Sequence, residues 1–231
     1  MGELVIVSRS DLLFRDRREA GQLLARELVK YAGADTLALG IPRGGVIVAQ
    51  ELARGLGAEL DVVLARKLRT PGHAELAMGA IAEDGKAFLN DEVISTLQIT
   101  GMQIENEKAL QMAEIARRAQ LFRQARPRAG IKGRTMIITD DGVATGATTL
   151  AAIWAARQAG PRTLIAALPV GPEDTLRRLA DEADLLVCLR VPRHFNAVGQ
   201  FYLRFHPVDD EEVLRILKEE AGRRVSSNLR G

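Results

Sequence analysis

The chain has 231 residues, of which 47% are hydrophobic and only 4% aromatic. This length and composition are typical of one folded α/β domain, which can hold its core without a disulfide or a metal. Cys188 is the only cysteine, which excludes an internal disulfide and fits a reducing compartment. We therefore expect a cytoplasmic protein.

The 32 Lys and Arg residues nearly balance the 30 Asp and Glu residues, and both signs are interspersed along the chain. The resulting net charge of +2 gives no indication of nucleic-acid binding. The N-terminal residues lack the apolar segment of a secretory signal, and no apolar run approaches the roughly 18 residues that a membrane span requires. We expect that the protein binds neither nucleic acid nor a membrane.

Short apolar runs alternate with amphipathic segments, a pattern typical of βαβ units. In the first half of the chain the pattern predicts a helix, a strand, a helix and a strand, at residues 17–31, 36–39, 46–56 and 60–65. In the second half it predicts helices and strands in strict alternation, at 106–126, 135–139, 146–158, 163–168, 173–180, 185–189 and 209–221. The predicted fold class is α/β, with an open, twisted, mostly parallel sheet flanked by helices.

Two segments depart from this alternation. Residues 66–85 are rich in Gly and charge and are too long for a tight connection, so we expect a mobile excursion there. Residues 190–208 contain four of the nine aromatic residues. No repeat or linker divides the chain, so we expect residues 1–231 to form a single domain with a small aromatic appendage.

The most informative pattern is TMIITDDGVATGATTLAA at residues 135–152. A buried strand leads into Asp140 and Asp141, then into a loop of Gly, Ala and Thr, and then into a helix. Small residues let a backbone wrap around an anion, and the amides at a helix N-terminus favour phosphate. Carboxylates at the carboxyl end of a strand can accept hydrogen bonds from sugar hydroxyls or hold a hydrated Mg²⁺.

Two common phosphate loops are excluded. A Walker loop requires Lys after its second Gly, whereas Gly146 is followed by Ala147. The GxGxxG fingerprint of dinucleotide-binding domains is absent from the sequence. The pattern therefore favours a loop for a terminal monophosphate.

The segment IITDDGVATGATT resembles the phosphoribosyl pyrophosphate (PRPP) signature of type I phosphoribosyltransferases. GIPRGG at 40–45 is similar to the pyrophosphate loop of that family, and RKLRTPGHAELAMGAI at 66–81 to its flexible catalytic loop. Residues 190–208 resemble its hood over the base. The resemblance covers most of residues 12–215 and extends to a subgroup of bacterial phosphoribosyltransferases with no assigned base. It implies the type I phosphoribosyltransferase fold, with a flexible catalytic loop over 66–85 and a small C-terminal hood.

This resemblance implies a pentosyltransferase that moves the 5-phosphoribosyl group of PRPP to a nitrogenous base, foremost a nucleobase, and releases pyrophosphate. Asp140 and Asp141 would hold the ribose hydroxyls, and Arg66 and Lys67 would close over the diphosphate. The cofactor would be Mg²⁺, held mainly by PRPP oxygens, with Asp140 as the candidate protein ligand. The remaining PRPP contacts that the match implies are Arg43, Gly44, Gly45, Gly142, Val143, Ala144, Thr145, Gly146, Ala147 and Thr148.

The acceptor base is less defined than the PRPP site. Ala144 stands where family members that act on 6-oxopurines usually carry an Asp that handles a proton of the base, which disfavours hypoxanthine and guanine. His73, Glu75 and His194 are candidate general bases. The candidate base contacts are Phe195 and Tyr202. The resemblance also implies a homodimer.

Other functions fit parts of the same pattern. A regulator or sensor could keep this fold and bind PRPP without catalysis, although Arg66 and Lys67 and the lack of an added DNA-binding element favour an enzyme. A structural protein on this scaffold would not need Asp140 and Asp141. A kinase that makes PRPP would share the acid pair and the phosphate loop, but it needs a longer chain with two domains.

Overall fold

The computed structural model describes residues 2–228, without the side chains of 73–75 and 224–228. Its strands are β1 (Glu3–Ser8), β2 (Thr36–Gly40), β3 (Glu59–Val62), β4 (Ala65–Thr70), β5 (His73–Ala82), β6 (Ala87–Leu89), β7 (Thr135–Thr139), β8 (Thr163–Val170) and β9 (Leu185–Arg190). Six of them form one sheet in the order β1-β9-β8-β7-β2-β3, and every neighbouring pair in it is parallel. The predicted open parallel sheet is confirmed.

Helices cover both faces of this sheet. They are α1 (Arg17–Glu27), α2 (Gly44–Leu56), α3 (Asp91–Thr96), α4 (Gly101–Ala125), α5 (Ala147–Arg157), α6 (Glu173–Ala180) and α7 (Asp210–Asn228), with 3-10 turns at Val29–Tyr31 and Val198–Phe201. In β7, Ile137 shares a buried core with Leu24 of α1 and Leu52 of α2, whereas Met136 and Ile138 belong to a second core on the opposite face. Because the central strands are covered on both sides, they read as continuous apolar runs in the sequence.

Residues 66–85 are mostly strand in the structure, and the sequence pattern does not reveal these strands. β4 and β5 pair as an antiparallel hairpin, and β6 pairs with β5. Leu68 and Met78 are fully buried in the main core, and Ala80 packs in a small cluster with Trp154 of α5. These few apolar residues alternate with Arg, Lys and Gly, which conceals the strands in the sequence. The mobility of the segment stays a prediction.

Elsewhere the predicted elements are present with shifted ends. α4 begins at Gly101, ahead of the predicted start, because Thr100 and Gln103 form a capping box. The helix predicted over 17–31 ends at Glu27, and α7 continues past 221. The sequence pattern does not reveal α3 or the half-exposed edge strand β1. Within residues 2–228, none of the helices has the length and apolarity to cross a membrane.

Candidate active site

The candidate site lies where β2 and β7 end side by side at the carboxyl edge of the parallel sheet. Gly40 and Thr139 are paired at the last position of these strands, and the N–H of Ile41 donates to the carbonyl of Thr139 across 2.9 Å. The GIPRGG loop after β2 therefore lies beside the acid pair that follows β7. Open α/β sheets bind their ligands at this edge.

Gly44 and Gly45, at the start of α2, allow these two loops to touch. A Cβ atom on Gly44 would lie 1.9 Å from Oδ2 of Asp141, and one on Gly45 would lie 2.8 Å from Cα of Asp140. Both distances are too short for a real Cβ contact. The close approach of the loop to the acid pair thus requires glycine at both positions.

Asp140 and Asp141 lie close together and are largely removed from solvent. The N–H of Asp141 donates to Oδ1 of Asp140 across 2.8 Å. Burial raises the pKa of Asp140 well above its ordinary range, and the neighbouring charge of Asp141 raises it further. Burial also raises the pKa of Asp141, against the opposing effect of Arg17. A pair of carboxyl groups in this setting favours a ligand that brings a cation or hydrogen-bond donors.

Arg17, the first residue of α1, is a site residue that the sequence analysis missed. Its Nε lies 2.7 Å from Oδ2 of Asp141, and its Nη1 donates to the carbonyl of His206 across 2.9 Å. The guanidinium also lies 3.8 Å from the ring centre of Phe205. One signal could have found it, because a cation in the first turn of a helix opposes the helix dipole and calls for an anionic partner.

The loop between β7 and α5 leaves one side of its backbone open. Gly142 and Gly146 adopt φ angles of 153° and 76°, and a Cβ at either position would collide with neighbouring side chains. Ala144, Thr145 and Thr148 are at least partly exposed, and Gly146 caps α5 without a side-chain hydrogen bond. The first amides of α5 therefore have no capping side chain, which is an arrangement that binds anions.

Two other predicted PRPP contacts have different surroundings. Val143 is buried, and its N–H donates to the carbonyl of Val170 across 2.9 Å, so this residue anchors the loop to β8. Arg43 is exposed and precedes Gly44, and the peptide bond between Pro42 and Arg43 is cis. Of these two residues, Arg43 is the one whose side chain can reach a ligand.

A cavity of about 320 Å³ brings most of the predicted cations and hydroxyls together. Its lining includes Arg66 and Lys67 of β4 together with Thr145 and Thr148. Nε of Arg66 donates to Oε1 of Gln111 on α4 across 2.8 Å, so α4 fixes the position of this cation. The lining also includes Ala147, Arg69 and Arg118. A cavity with this charge suits an anionic ligand.

Tyr202 supports the acid pair rather than standing open to a ligand. Its side chain is buried, and its ring lies 5.1 Å from that of Phe205 and 5.3 Å from that of Phe14, measured between ring centres. Its hydroxyl donates to the carbonyl of Asp141 across 2.5 Å. Burial raises the pKa of Tyr202 well above its ordinary range, as does the charge of Asp141, so the hydroxyl keeps its proton. Packing therefore accounts for this ring, and its contact with a base stays a prediction.

Phe195 is the more accessible of the two predicted base contacts. It stacks on Phe201 with 5.3 Å between ring centres and is only partly buried. Its ring lines a surface depression together with Arg9, Glu173 and Arg193, next to the ends of β1, β8 and β9. Phe195 thus lies at the same edge of the sheet as the acid pair and is partly exposed there.

The remaining predictions concern proton transfer and metal binding. His194 is exposed, and the side chains of His73 and Glu75 lie outside the described residues. Within the part of the chain that the structure describes, no group of three or more His, Cys, Asp or Glu side chains could hold a metal. Mg²⁺ is nevertheless bound in many proteins by one or two carboxylates and the phosphates of a substrate. Asp140 and Asp141 fit that type of site.

A parallel sheet with an acid pair and a glycine-bounded loop at its carboxyl edge places this chain in the class of open α/β proteins that bind ligands at that edge. Comparison with known families is more specific, because the model of the phosphoribosyl transferase domain matches residues 17–206. The chain belongs to this phosphoribosyl transferase family, as its motifs predict.

Individual relatives agree with this assignment. Two Mycobacterium tuberculosis proteins, from strains CDC 1551 / Oshkosh and H37Rv, are each 45% identical over 205 residues and are named "putative phosphoribosyl transferase". The matched region is 89% of this chain but only 46% of those proteins, so the chain spans about half of their length. The protein TT1426 from Thermus thermophilus has 45% sequence identity with this chain, and its crystal structure matches the fold with a TM-score of 0.84. The match covers 90% of this chain and 99% of the TT1426 chain.

Proposed function

We propose that this protein binds PRPP and transfers its 5-phosphoribosyl group to a nitrogenous base, with release of pyrophosphate. One observation carries the proposal. The glycines of the GIPRGG loop bring that loop into contact with Asp140 and Asp141, at a distance that a single methyl group would abolish. The pyrophosphate loop and the ribose-binding acids of the proposed reaction are therefore parts of one site.

In this reaction the bond between C1′ and the diphosphate oxygen breaks as a nitrogen of the base bonds to C1′. Positive charge develops on the ribose ring during this step. Asp140 and Asp141 would accept hydrogen bonds from the ribose hydroxyls and stabilise that charge. Because burial removes their carboxylates from water, the electrostatic effect is stronger than it would be at an exposed site.

The phosphate groups would bind on either side of the acid pair. Thr145 and Thr148, with the amides at the start of α5, would hold the 5′-phosphate. Arg66 and Lys67, which line the same cavity as these threonines, would neutralise the leaving diphosphate. Mg²⁺ bound to the PRPP oxygens and to Asp140 would supply further neutralisation of the diphosphate.

The acceptor of this proposal is a nucleobase or a related heterocycle, with hypoxanthine and guanine disfavoured. Ala144 is exposed in the phosphate loop, and its methyl group cannot exchange a proton with the base. Phe195 offers a partly exposed aromatic face on the hood, against which a planar base could stack.

The test is pyrophosphate release from PRPP with Mg²⁺, measured across a panel of purines, pyrimidines and small nitrogen heterocycles. The variant with both Asp140→Asn and Asp141→Asn serves as the blank. Asp35→Asn is a matched control, because this exposed carboxylate precedes β2 at the opposite end of the strand. Release with one acceptor, lost in the blank and kept in the control, would support the transferase and name its base.

Two other results have distinct meanings. PRPP binding without release across the panel would favour a regulator or sensor on the same fold. Failure of the unaltered chain to bind PRPP would overturn the proposal.

A further inference from the structure

Arg17 is where three separate parts of the molecule meet. The residue belongs to α1, its Nε contacts Oδ2 of Asp141 after β7, and its Nη1 contacts the carbonyl of His206 in the hood. The guanidinium carbon also lies 3.8 Å from the ring centre of Phe205. The side chain therefore has a fixed position, determined on several sides.

The contact with Asp141 uses only one of its carboxylate oxygens. Oδ2 accepts from Arg17, whereas no other residue that the structure describes donates a hydrogen bond to Oδ1. Only 10% of the Arg17 side chain and 16% of the Asp141 side chain are exposed. Charge-assisted hydrogen bonds in such surroundings fix geometry strongly. The ion pair thus sets the direction of Oδ1.

We propose that Arg17 is a positioning residue, which orients Asp141 so that Oδ1, the oxygen that Arg17 does not contact, can accept a hydrogen bond from a ribose hydroxyl. This inference rests on the proposed function, since the ribose is that of PRPP. Gly44 supports the same arrangement, because a Cβ there would lie 1.9 Å from Oδ2 of Asp141 and 3.0 Å from Nε of Arg17. The pyrophosphate loop is therefore shaped around this ion pair.

The experiment measures PRPP binding with Mg²⁺ by titration calorimetry, which needs no knowledge of the base. Arg17→Gln is expected to weaken binding at least about 10-fold, a change of about 1.4 kcal/mol. Arg17→Lys keeps a positive charge beside Asp141 and is expected to bind with intermediate affinity. Arg126→Gln is the matched control, because Arg126 is similarly buried and ion-paired to Glu59 but lies away from the site. Its affinity is expected to stay within about 3-fold of that of the unaltered chain, a difference below about 1 kcal/mol.

A double-mutant cycle separates positioning from general stability. If Arg17 acts through Asp141, then Arg17→Gln causes no further loss of affinity once Asp141→Asn is present. A purely structural role would weaken binding equally in both backgrounds. If Arg17→Gln does not fold, the same cycle is carried out with Arg17→Lys, and folding is checked by circular dichroism.

Each outcome decides the inference. The inference is supported if Arg17→Gln weakens PRPP binding in the chain with Asp141 but not in the chain with Asp141→Asn. It is overturned if Arg17→Gln leaves the affinity unchanged, or if it weakens binding equally in both chains. Either of these two results leaves the proposed function intact. If the unaltered chain does not bind PRPP, the proposed function fails, and the inference that rests on it fails too.

Discussion

The hydroxyl of Tyr202 donates a hydrogen bond to the backbone carbonyl of Asp141, across 2.5 Å. The two residues are 61 positions apart in the chain, and this contact joins the hood to the acid pair. Tyr202→Phe would keep the ring but leave the carbonyl without its donor. We expect a loss of about 1 to 2 kcal/mol in the free energy of unfolding, measured with urea. Tyr31→Phe, remote from the site, is the control and should change stability little. Equal stability of the two variants would show that the hydrogen bond contributes nothing.

Gly44→Ala tests the closeness of the GIPRGG loop to the acid pair. The new methyl group would lie 1.9 Å from Oδ2 of Asp141, so either the loop or the carboxylate must move. We expect PRPP affinity to fall at least about 10-fold, equivalent to about 1.4 kcal/mol. Gly101→Ala is the matched control, since nothing lies within 4 Å of a Cβ at that position. It should keep full affinity and gain up to about 1 kcal/mol of stability. Unchanged affinity in Gly44→Ala would contradict the described packing.

Gln111 is expected to restrain the β4–β5 hairpin through its contact with Arg66. Gln111→Ala removes the acceptor of the 2.8 Å hydrogen bond from Nε of Arg66. Amide hydrogen exchange over residues 66–82 should therefore become faster, and PRPP should slow it in the unaltered chain. Gln120→Ala, an exposed glutamine on the same helix, should leave exchange unchanged. Uniformly slow exchange over 66–85 without ligand would contradict the predicted mobility of this segment.

Burial raises the pKa of the Cys188 thiol to about 12. In the unfolded chain the thiol loses its proton near a pH of about 8.5. Between these values the folded state binds more protons than the unfolded state, so the thiol's contribution to stability falls as pH rises through that window. The unaltered chain should thus lose more stability than Cys188→Ala between about pH 8.5 and 11. The native thiol should also resist alkylation near a pH of about 8 and react once denatured. Rapid alkylation of the native protein would refute this.

The family resemblance predicts a homodimer. Sedimentation velocity at micromolar concentration should show a species of twice the 25.1 kDa chain mass. A monomer under these conditions would contradict the prediction.

Elements that local sequence patterns define could be predicted, whereas those that depend on contacts between distant residues could not. The bounds of β7 could be predicted because TMIIT is a short run of apolar and β-branched residues that ends at two acids, and this run also located the acid pair. The hairpin could not, because Arg66, Lys67 and Arg69 surround its one large apolar residue in β4, Leu68. The two strands of the hairpin are determined by the pairing of β4 with β5 and by the packing of both strands on α5.

The role of Arg17 as a site residue could not be predicted from the sequence for a related reason. Its partner Asp141 is 124 positions away, and its contact with His206 spans 189 positions. The helix dipole shows only that this cation calls for an anion, and no local pattern says which one. The motifs alone predicted an acid pair at the carboxyl edge of the sheet. The position of Arg17 beside Asp141 depends on tertiary packing and could not be predicted from them.

Phe14 accepts a hydrogen bond from the N–H of Leu203 and donates one to the carbonyl of Phe201, each across 2.8 Å. The segment before α1 thus holds the hood by backbone hydrogen bonds, although the two segments lie near opposite ends of the chain. A shortened protein that starts at α1 would keep every motif residue but would lose both hydrogen bonds between Phe14 and the hood. Domain boundaries drawn from the motifs alone would therefore remove a segment that supports the candidate site.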